Sequence, residues 1–306
     1  MNRRLSFRVI LALWLVVPLT GCLFRSHKVE RQVSAAPLKS ATQQELIAYL
    51  NSQAAKTKSL QATVDINASV GGSKKGKVTD FQEIRGYILA RKPAMLRMIG
   101  LMPVVRNRAF DMVSDGQQFK LWIPAKNTFV IGHNNMVQPS TNALENLRPQ
   151  VIYDALLFQP IEPEKQIAVM ESGSETVTDS KGHKVEQPAY EIDVIGRSGE
   201  GWYLARKIIF SRTDLVPHRQ LIYDERGSVA TDARYEDIKD YDGINFPTQI
   251  EIERPQEEYS ILLKIVKLQL NQPLTEDQFA LQQPAGATVK NLDQPRASQG
   301  TDGHNQ

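Results

Sequence analysis

Cysteine, histidine and clustered carboxylates are the side chains that could do covalent or metal chemistry, and their spacing narrows the choice. The five histidines, His27, His133, His183, His218 and His304, are scattered, without the short separations that bring two imidazoles onto one metal. Glu236, Asp237, Asp240 and Asp242 crowd together, but the spacing and closing glutamate of a calcium loop are missing, so they read as a solvated turn. The sequence has no Gly-rich phosphate loop, no Gly-x-Ser-x-Gly elbow and no His-Glu-x-x-His helix. Serine, histidine and aspartate occur, yet nothing sets them beside one another. No catalytic residue, metal site or cofactor is expected, and the chain reads as a non-enzyme.

The single cysteine, Cys22, stands apart. With no second cysteine to pair with, its thiol is left for modification. It closes a leader that starts with basic Arg3, Arg4 and Arg8 and continues in an apolar stretch too short to span a bilayer comfortably. Leu19-Thr20-Gly21-Cys22 resembles the lipobox of bacterial lipoproteins. That resemblance implies export, diacylation of Cys22, cleavage after Gly21 and acylation of the new amino group, palmitate being typical. An ordinary signal peptide with a chance cysteine, or a short membrane anchor, are the other readings. One acyl chain holds a protein only marginally, whereas three make a stable anchor. The next residue is Leu23 and not Asp. By resemblance to enterobacterial sorting, this implies the periplasmic face of the outer membrane. Inner-membrane retention and surface exposure stay open.

The leader holds three of the 37 basic side chains and none of the 34 acidic ones, so the net charge of +3 belongs to it. The remaining body is balanced and has no excess of positive charge to condense on nucleic acid. Lys74-Lys75-Gly76-Lys77 follows Gly71-Gly72-Ser73 and reads as a solvated hairpin tip. Contact with anionic headgroups is the other reading. No later segment has the roughly 18 consecutive apolar residues of a membrane span.

Residues 23–40 are polar and aperiodic, as in a tether. Thr42-Gln43-Gln44-Glu45 then has the form of a capping box, and Leu46, Ile47, Leu50 and Ala54 fall on one helical stripe that ends near Lys56-Thr57-Lys58. From Leu60 the period becomes two, with Leu60, Ala62, Val64, Ile66 and Ala68 alternating with polar residues. Further strands are expected at Glu83–Arg91, Ala94–Gly100, Ala109–Ser114, Gln117–Ile123 and Thr128–Gly132. A second helical region is expected around residues 140–158, with Pro149 opening a short helix. Strands resume at Gln166–Ser172, Glu175–Ser180, Ala189–Ile195, Tyr203–Ser211, Val216–Tyr223, Val229–Lys239, Ile244–Glu253 and Ser260–Leu270. Asp115-Gly116, Asp224 to Gly227 and Asp240 to Gly243 read as hairpin turns. Many short strands interrupted by two helices predict a curled sheet with the helices as its plug.

Four stretches in this order resemble the LolA/LolB-like superfamily of lipoprotein carriers and outer-membrane receptors. They are Gly86-Tyr87-Ile88-Leu89-Ala90-Arg91-Lys92-Pro93-Ala94-Met95-Leu96-Arg97, Ser114-Asp115-Gly116-Gln117-Gln118-Phe119, Phe246-Pro247-Thr248-Gln249-Ile250-Glu251-Ile252, and Leu270-Asn271-Gln272-Pro273-Leu274 running to Phe279 and Pro284. The resemblance covers residues 42–292 and implies a mainly β fold with helices (α+β): an incomplete antiparallel β-barrel, or half-barrel, covered by one or two helices and holding an apolar cavity for acyl chains. Residues 1–21 are then a lipoprotein signal peptide, 22–41 a lipidated flexible tether, 42–292 the half-barrel domain and 293–306 a disordered tail.

Leu96, Met98, Phe110, Leu121 and Trp122 are candidate cavity-lining residues; such a stripe also makes a plain core, and the sequence leaves the two open. Met98 to Val105 reads as an apolar connection between strands, with Arg97, Arg106 and Arg108 flanking it. Its residues Ile99, Leu101, Met102, Val104 and Val105 are the candidate membrane or ligand loop. In the receptor branch the matching loop exposes a leucine, which implies such a role for Leu101; the loop can equally fold back on the barrel mouth. The expected function is an outer-membrane-anchored lipoprotein that binds acyl chains of lipoproteins or other amphiphiles, acting in lipoprotein localisation or lipid transfer. Its expected partners are the membrane, those acyl chains, and a periplasmic carrier or envelope complex. The alternative is a structural or sensor protein docked on another envelope protein.

Overall fold

The computed structural model describes residues 36–134, 148–178 and 182–293. The leader, Cys22, most of the expected tether and the expected tail beyond Asp293 lie outside the described residues, as does the first part of the second helical region; Asp293 itself is held, accepting from His133 N–H at 3.0 Å. The segment Thr176–Glu186 forms a unit apart from the body made by Ala36–Glu175 and Gln187 onward.

Helix α1, Gln43–Lys56, starts as its sequence dictates: Glu45 N–H donates to the Thr42 hydroxyl at 3.3 Å and Thr42 N–H to the Glu45 carboxylate at 2.7 Å. Just before it, the backbone N–H of Lys39 donates to the Arg212 carbonyl at 2.7 Å, so the chain is already held where a tether was expected to end. The strands are β1 Ser59–Gly72, β2 Lys77–Asp80, β3 Ile84–Arg91, β4 Met95–Leu101, β5 Arg108–Ser114, β6 Gln118–Ile123 and β7 Thr128–His133. After helix α2, Pro149–Leu156, come β8 Ile167–Thr178, β9 Lys184–Ser198, β10 Gly201–Ser211, β11 Pro217–Tyr223, β12 Val229–Tyr241, β13 Ile244–Arg254, β14 Tyr259–Leu270 and β15 Thr288–Asn291.

These form one sheet in the order β15-β7-β6-β5-β4-β3-β1-β14-β13-β12-β11-β10-β9-β8, with β2 paired to the end of β1. Neighbours from β7 to β9 are antiparallel, while β15 joins the β7 edge in parallel. The end strands do not pair with each other among the described residues, so the sheet is an open half-barrel with helices on its inner face.

One row of paired residues crosses that inner face: Ile192, Ile208, Gln220, Ala233, Ile252, Ile261 and Ala68. Alternation puts one side of each strand on this face, and two apolar clusters cover it. Leu46 and Leu50 of α1 pack on Ile192, Val194, Ile208 and Phe210. Ile152, Tyr153 and Leu156 of α2 pack on β1, β3–β6 and β12–β14. The outer face of β5–β7 is covered by the C-terminal segment, where Val113, Phe129, Leu281 and Ala287 cluster and Arg97 bridges the buried Asp111 carboxylate at 2.8 Å to the Gln278 carbonyl at 2.9 Å.

Two expectations need correction, and two strands are added. Gln166–Ser172 and Glu175–Ser180 are not two strands but one, β8. Gly173 does not break it; the missing side chain leaves room for the Glu191 carboxylate, which would lie 2.0 Å from a Cβ there. Met98, Ile99 and Leu101 belong to β4 and not to a connection, which runs only from Met102 to Asn107. Finally, β2 and β15 were not foreseen, being four-residue strands with exposed, polar-rich sequences.

Candidate functional site

The β1–β2, β4–β5 and β13–β14 connections lie at one end of the half-barrel, here the upper end. The β3–β4, β5–β6 and β12–β13 turns lie at the lower end. An apolar cavity of about 250 Å³ opens at the upper end between β1, β4, β5 and β14. Ile66, Met98, Phe110 and Ile261 line it from the sheet, and Phe81, Met102 and Pro103 line it from the connections.

Two glycines shape its floor. A Cβ on Gly100 would stand 2.4 Å from the Phe110 ring, and one on Gly86 would stand 2.6 Å from the end of Ile66. Both side chains therefore lie flat across the backbone where only hydrogen fits.

The cavity is lined by no charged side chain. Tyr259 is the one titratable group in the lining, and burial pushes its phenol up to about 12, so it stays neutral. The hydroxyls of Ser69 and Ser260 bond to each other at 2.7 Å. With polar groups neutral or mutually satisfied, the space can take apolar groups by burial and offers little to an ion.

The β4–β5 connection at the lip is tightly built. Met102 N–H donates to the Asn107 carbonyl at 2.7 Å, and Val105 N–H donates to the Pro103 carbonyl at 2.7 Å across Val104. Val104 has φ 65° and Arg106 has φ 54°. A β-branched residue in this region is strained, and the turn is the rarer, costlier hand of γ-turn. Yet the Val104 side chain makes no compensating burial: Val104 is 98% exposed and Val105 64%. Strained backbone of this kind clusters at functional sites, and this turn follows directly on Met102 and Pro103 of the cavity lining.

The lower end is plugged where the helices meet β13, while a polar pocket of about 370 Å³ stays open beside the β5–β6 turn, lined by Gly116, Gln117, His133, Asn134 and Gln150. Tyr153 OH donates to the Pro93 carbonyl at 2.6 Å, Lys92 Nζ donates to the Ala54 carbonyl, and the remaining space between α1, α2 and β13 is about 30 Å³, one water's share of liquid volume. Above this plug sit polar groups with no counterpart in the sequence reading. Asp154 accepts from Gln150 at 2.9 Å, and Gln220 donates to the Asp154 carbonyl at 3.3 Å. Burial raises the Asp154 carboxyl to about 6 against the opposing pull of Gln150, Arg206 and Gln159. The Tyr235 hydroxyl is buried without a hydrogen-bond partner among the described residues. A helical stripe reports an inward face, but not that a carboxylate shares it.

The expected site residues therefore separate. Met98 and Phe110 line the cavity and Met102 stands at its lip. Val104 and Val105 crown the adjacent turn. Leu96 and Leu121 face inward but lie in the filled core, not in the cavity. Trp122 is on the opposite face, since Phe119, Leu121 and Ile123 take the inward parity of β6; it packs against the outer cluster under the C-terminal segment. Ile99 and Leu101 share the outward parity of β4. Ile66, Phe81 and Ile261 were missed, although the alternation of β1 already turned Ile66 inward. Cys22 lies outside the described residues.

A family model described only as an uncharacterized protein matches residues 170–283. No curated protein matches the chain. Among solved structures, the chain is similar to a LolA superfamily protein from Nitrosomonas europaea, at 14% identity over 79% of this chain and 99% of that one, with a TM-score of 0.47. It is also similar to a DUF1329 family protein from Desulfovibrio piger, at 14% identity over 77% and 95% with a TM-score of 0.49. A third is an outer membrane lipoprotein-sorting protein domain from Vibrio parahaemolyticus, at 14% identity over 77% and 96% with a TM-score of 0.48.

Proposed function

We propose that the chain is a non-enzymatic, lipid-anchored binding module that takes part of an acyl chain of a lipoprotein or other amphiphile into the upper cavity and passes it to a membrane. The observation that carries this reading is the pairing of an uncharged apolar cavity with an exposed apolar turn at its lip. At about 30 Å³ per water-sized group, the cavity has room for roughly eight methylenes, a segment of one chain. Burying them yields roughly 6 kcal/mol at about 0.8 kcal/mol each, and ordering the chain offsets much of it. Such weak holding suits hand-over, not storage. Acylation of Cys22, with the outer membrane's periplasmic face as its destination, would keep the module within reach of a bilayer, where Val104 and Val105 meet the interface.

The test fills the cavity. Ala68 lines it on β1, and Ala68→Trp places an indole where the chain would lie. Binding of a fluorescent fatty-acid probe should weaken at least tenfold while the thermal midpoint stays within a few degrees. Equal probe affinity in the filled and native proteins would refute the reading.

A further inference from the structure

We propose that the upper end is also a docking surface for a bilayer rich in anionic phospholipid, with the β1–β2 hairpin as its electrostatic foot. Lys74, Lys75 and Lys77 are all exposed at that tip. Glu258 sits in the turn and offsets one of these charges, but it forms no ion pair with their ammonium groups. Its carboxylate accepts the backbone N–H of Lys74 at 2.5 Å and that of Lys75 at 3.1 Å, in space that Gly72 leaves open: a Cβ there would meet the carboxylate oxygen at 2.8 Å. The Glu258 carbonyl in turn accepts from Gly71 at 2.8 Å. This acid stiffens the turn, and the ammonium groups stay outward.

Other carboxylates nearby are engaged as well. Glu257 holds Arg254, Asp65 holds Arg85 at 2.8 Å, and Glu83 accepts from Asn67 at 2.8 Å. Asp80 is the remaining acid of the hairpin. Lys74 Nζ reaches only the Gln256 carbonyl, at 3.0 Å, which leaves its charge unbalanced. Lys75, Lys77 and Arg106 form no ion pair among the described residues.

The same end carries the exposed Val104, Val105 and Phe81. Apolar side chains set among free cations match an interface where the former enter the acyl boundary and the latter meet phosphates. An acidic protein surface would satisfy the lysines but not the valines, so the bilayer is the occupant the geometry favours. This goes beyond the cavity reading and holds whether or not a chain enters the cavity.

Lysine acetylation footprinting of the full chain, held in vesicles by its N-terminus, tests it. With phosphatidylglycerol mixed into phosphatidylcholine, Lys75 and Lys77 should react several-fold more slowly than on phosphatidylcholine alone. Lys120 and Lys239 should be unchanged, and high salt should erase the difference. Each lysine is worth about fivefold in surface association. The double variant Lys75→Glu/Lys77→Glu should therefore free Lys74 while keeping the native thermal midpoint and fatty-acid probe binding. Equal rates at Lys75 and Lys77 on both vesicles, equal slowing at Lys239, or protection that needs an added acidic protein would overturn the proposal.

Discussion

Where α1 and α2 meet β13 at the lower end of the half-barrel, Tyr153 is fully buried and hydrogen-bonded, and the space left is the size of one water. At the upper end, the same β1 and β4 run past the helices, and a 98%-exposed valine stands over an apolar cavity. Strand chemistry is alike at both ends, since the inward residues are mostly apolar in each. Whether a helix reaches them decides the outcome. An apolar inner face becomes core where α2 covers it and a binding surface where α2 stops. The comparison predicts that substitutions below act on stability and substitutions above act on binding.

The largest break should come from the plug. Leu156→Ala removes a side chain that is 3% exposed in the central cluster. It should cost about 2–5 kcal/mol, read as a lower urea midpoint at unchanged slope. Val104→Asp at the other end should leave that midpoint unchanged or slightly higher, since aspartate tolerates the positive φ better than valine, and abolish vesicle insertion. Equal destabilisation by both would erase the distinction between the ends.

Asp154 sharpens the comparison through pH. Its folded value of about 6, raised by burial, lies above its ordinary 3.8. Between those values the native state binds more protons than the unfolded chain, so stability falls as pH rises through this window and is level above it. Asp154→Asn keeps the shape without the charge. It should stabilise the protein by roughly 3 kcal/mol at pH 7 and by about half a kcal/mol at pH 4. His218 adds the same trend. Burial pushes its imidazole down, but Asp214 at 2.8 Å and Glu175 outweigh this and raise it. Its contribution is full below the ordinary histidine range and is lost as pH rises through its folded value. Urea midpoints of both proteins from pH 4 to 8 decide the matter; parallel curves would show that the Asp154 carboxyl is not desolvated.

The two ends also differed in how far the sequence disclosed them. The alternation from Leu60 to Ala68, the Thr42 capping box and the Asp115 turn each follow from local chemistry, and each forms where expected; Asp115 accepts from Gln117 and Gln118 N–H at 2.8 and 2.7 Å. The upper site was harder. Met98-Ile99-Gly100-Leu101 is apolar on both parities, so it shows no alternation and passes for a connection. Trp122 looks inward-facing by type and is not, because its neighbours Leu121 and Ile123 take the inward side of β6 and strand alternation turns Trp122 the other way. The Asp111–Arg97 pair and the buried Asp154 arise from contacts far apart in sequence, which no local pattern carries.

The smallest expected effect is also the most pointed. Val104 holds φ 65°, a conformation costing a β-branched residue of order 1–3 kcal/mol. Glycine adopts it freely but brings about 0.5–1 kcal/mol of added unfolded-state entropy. Val104→Gly should therefore raise stability by up to about 1 kcal/mol, while vesicle association falls because the exposed isopropyl group is gone. A strained residue whose removal helps the fold and harms the membrane contact is kept for the contact. If Val104→Gly instead destabilises the protein at unchanged vesicle association, the turn belongs to the scaffold, and the upper end loses its claim to differ from the lower.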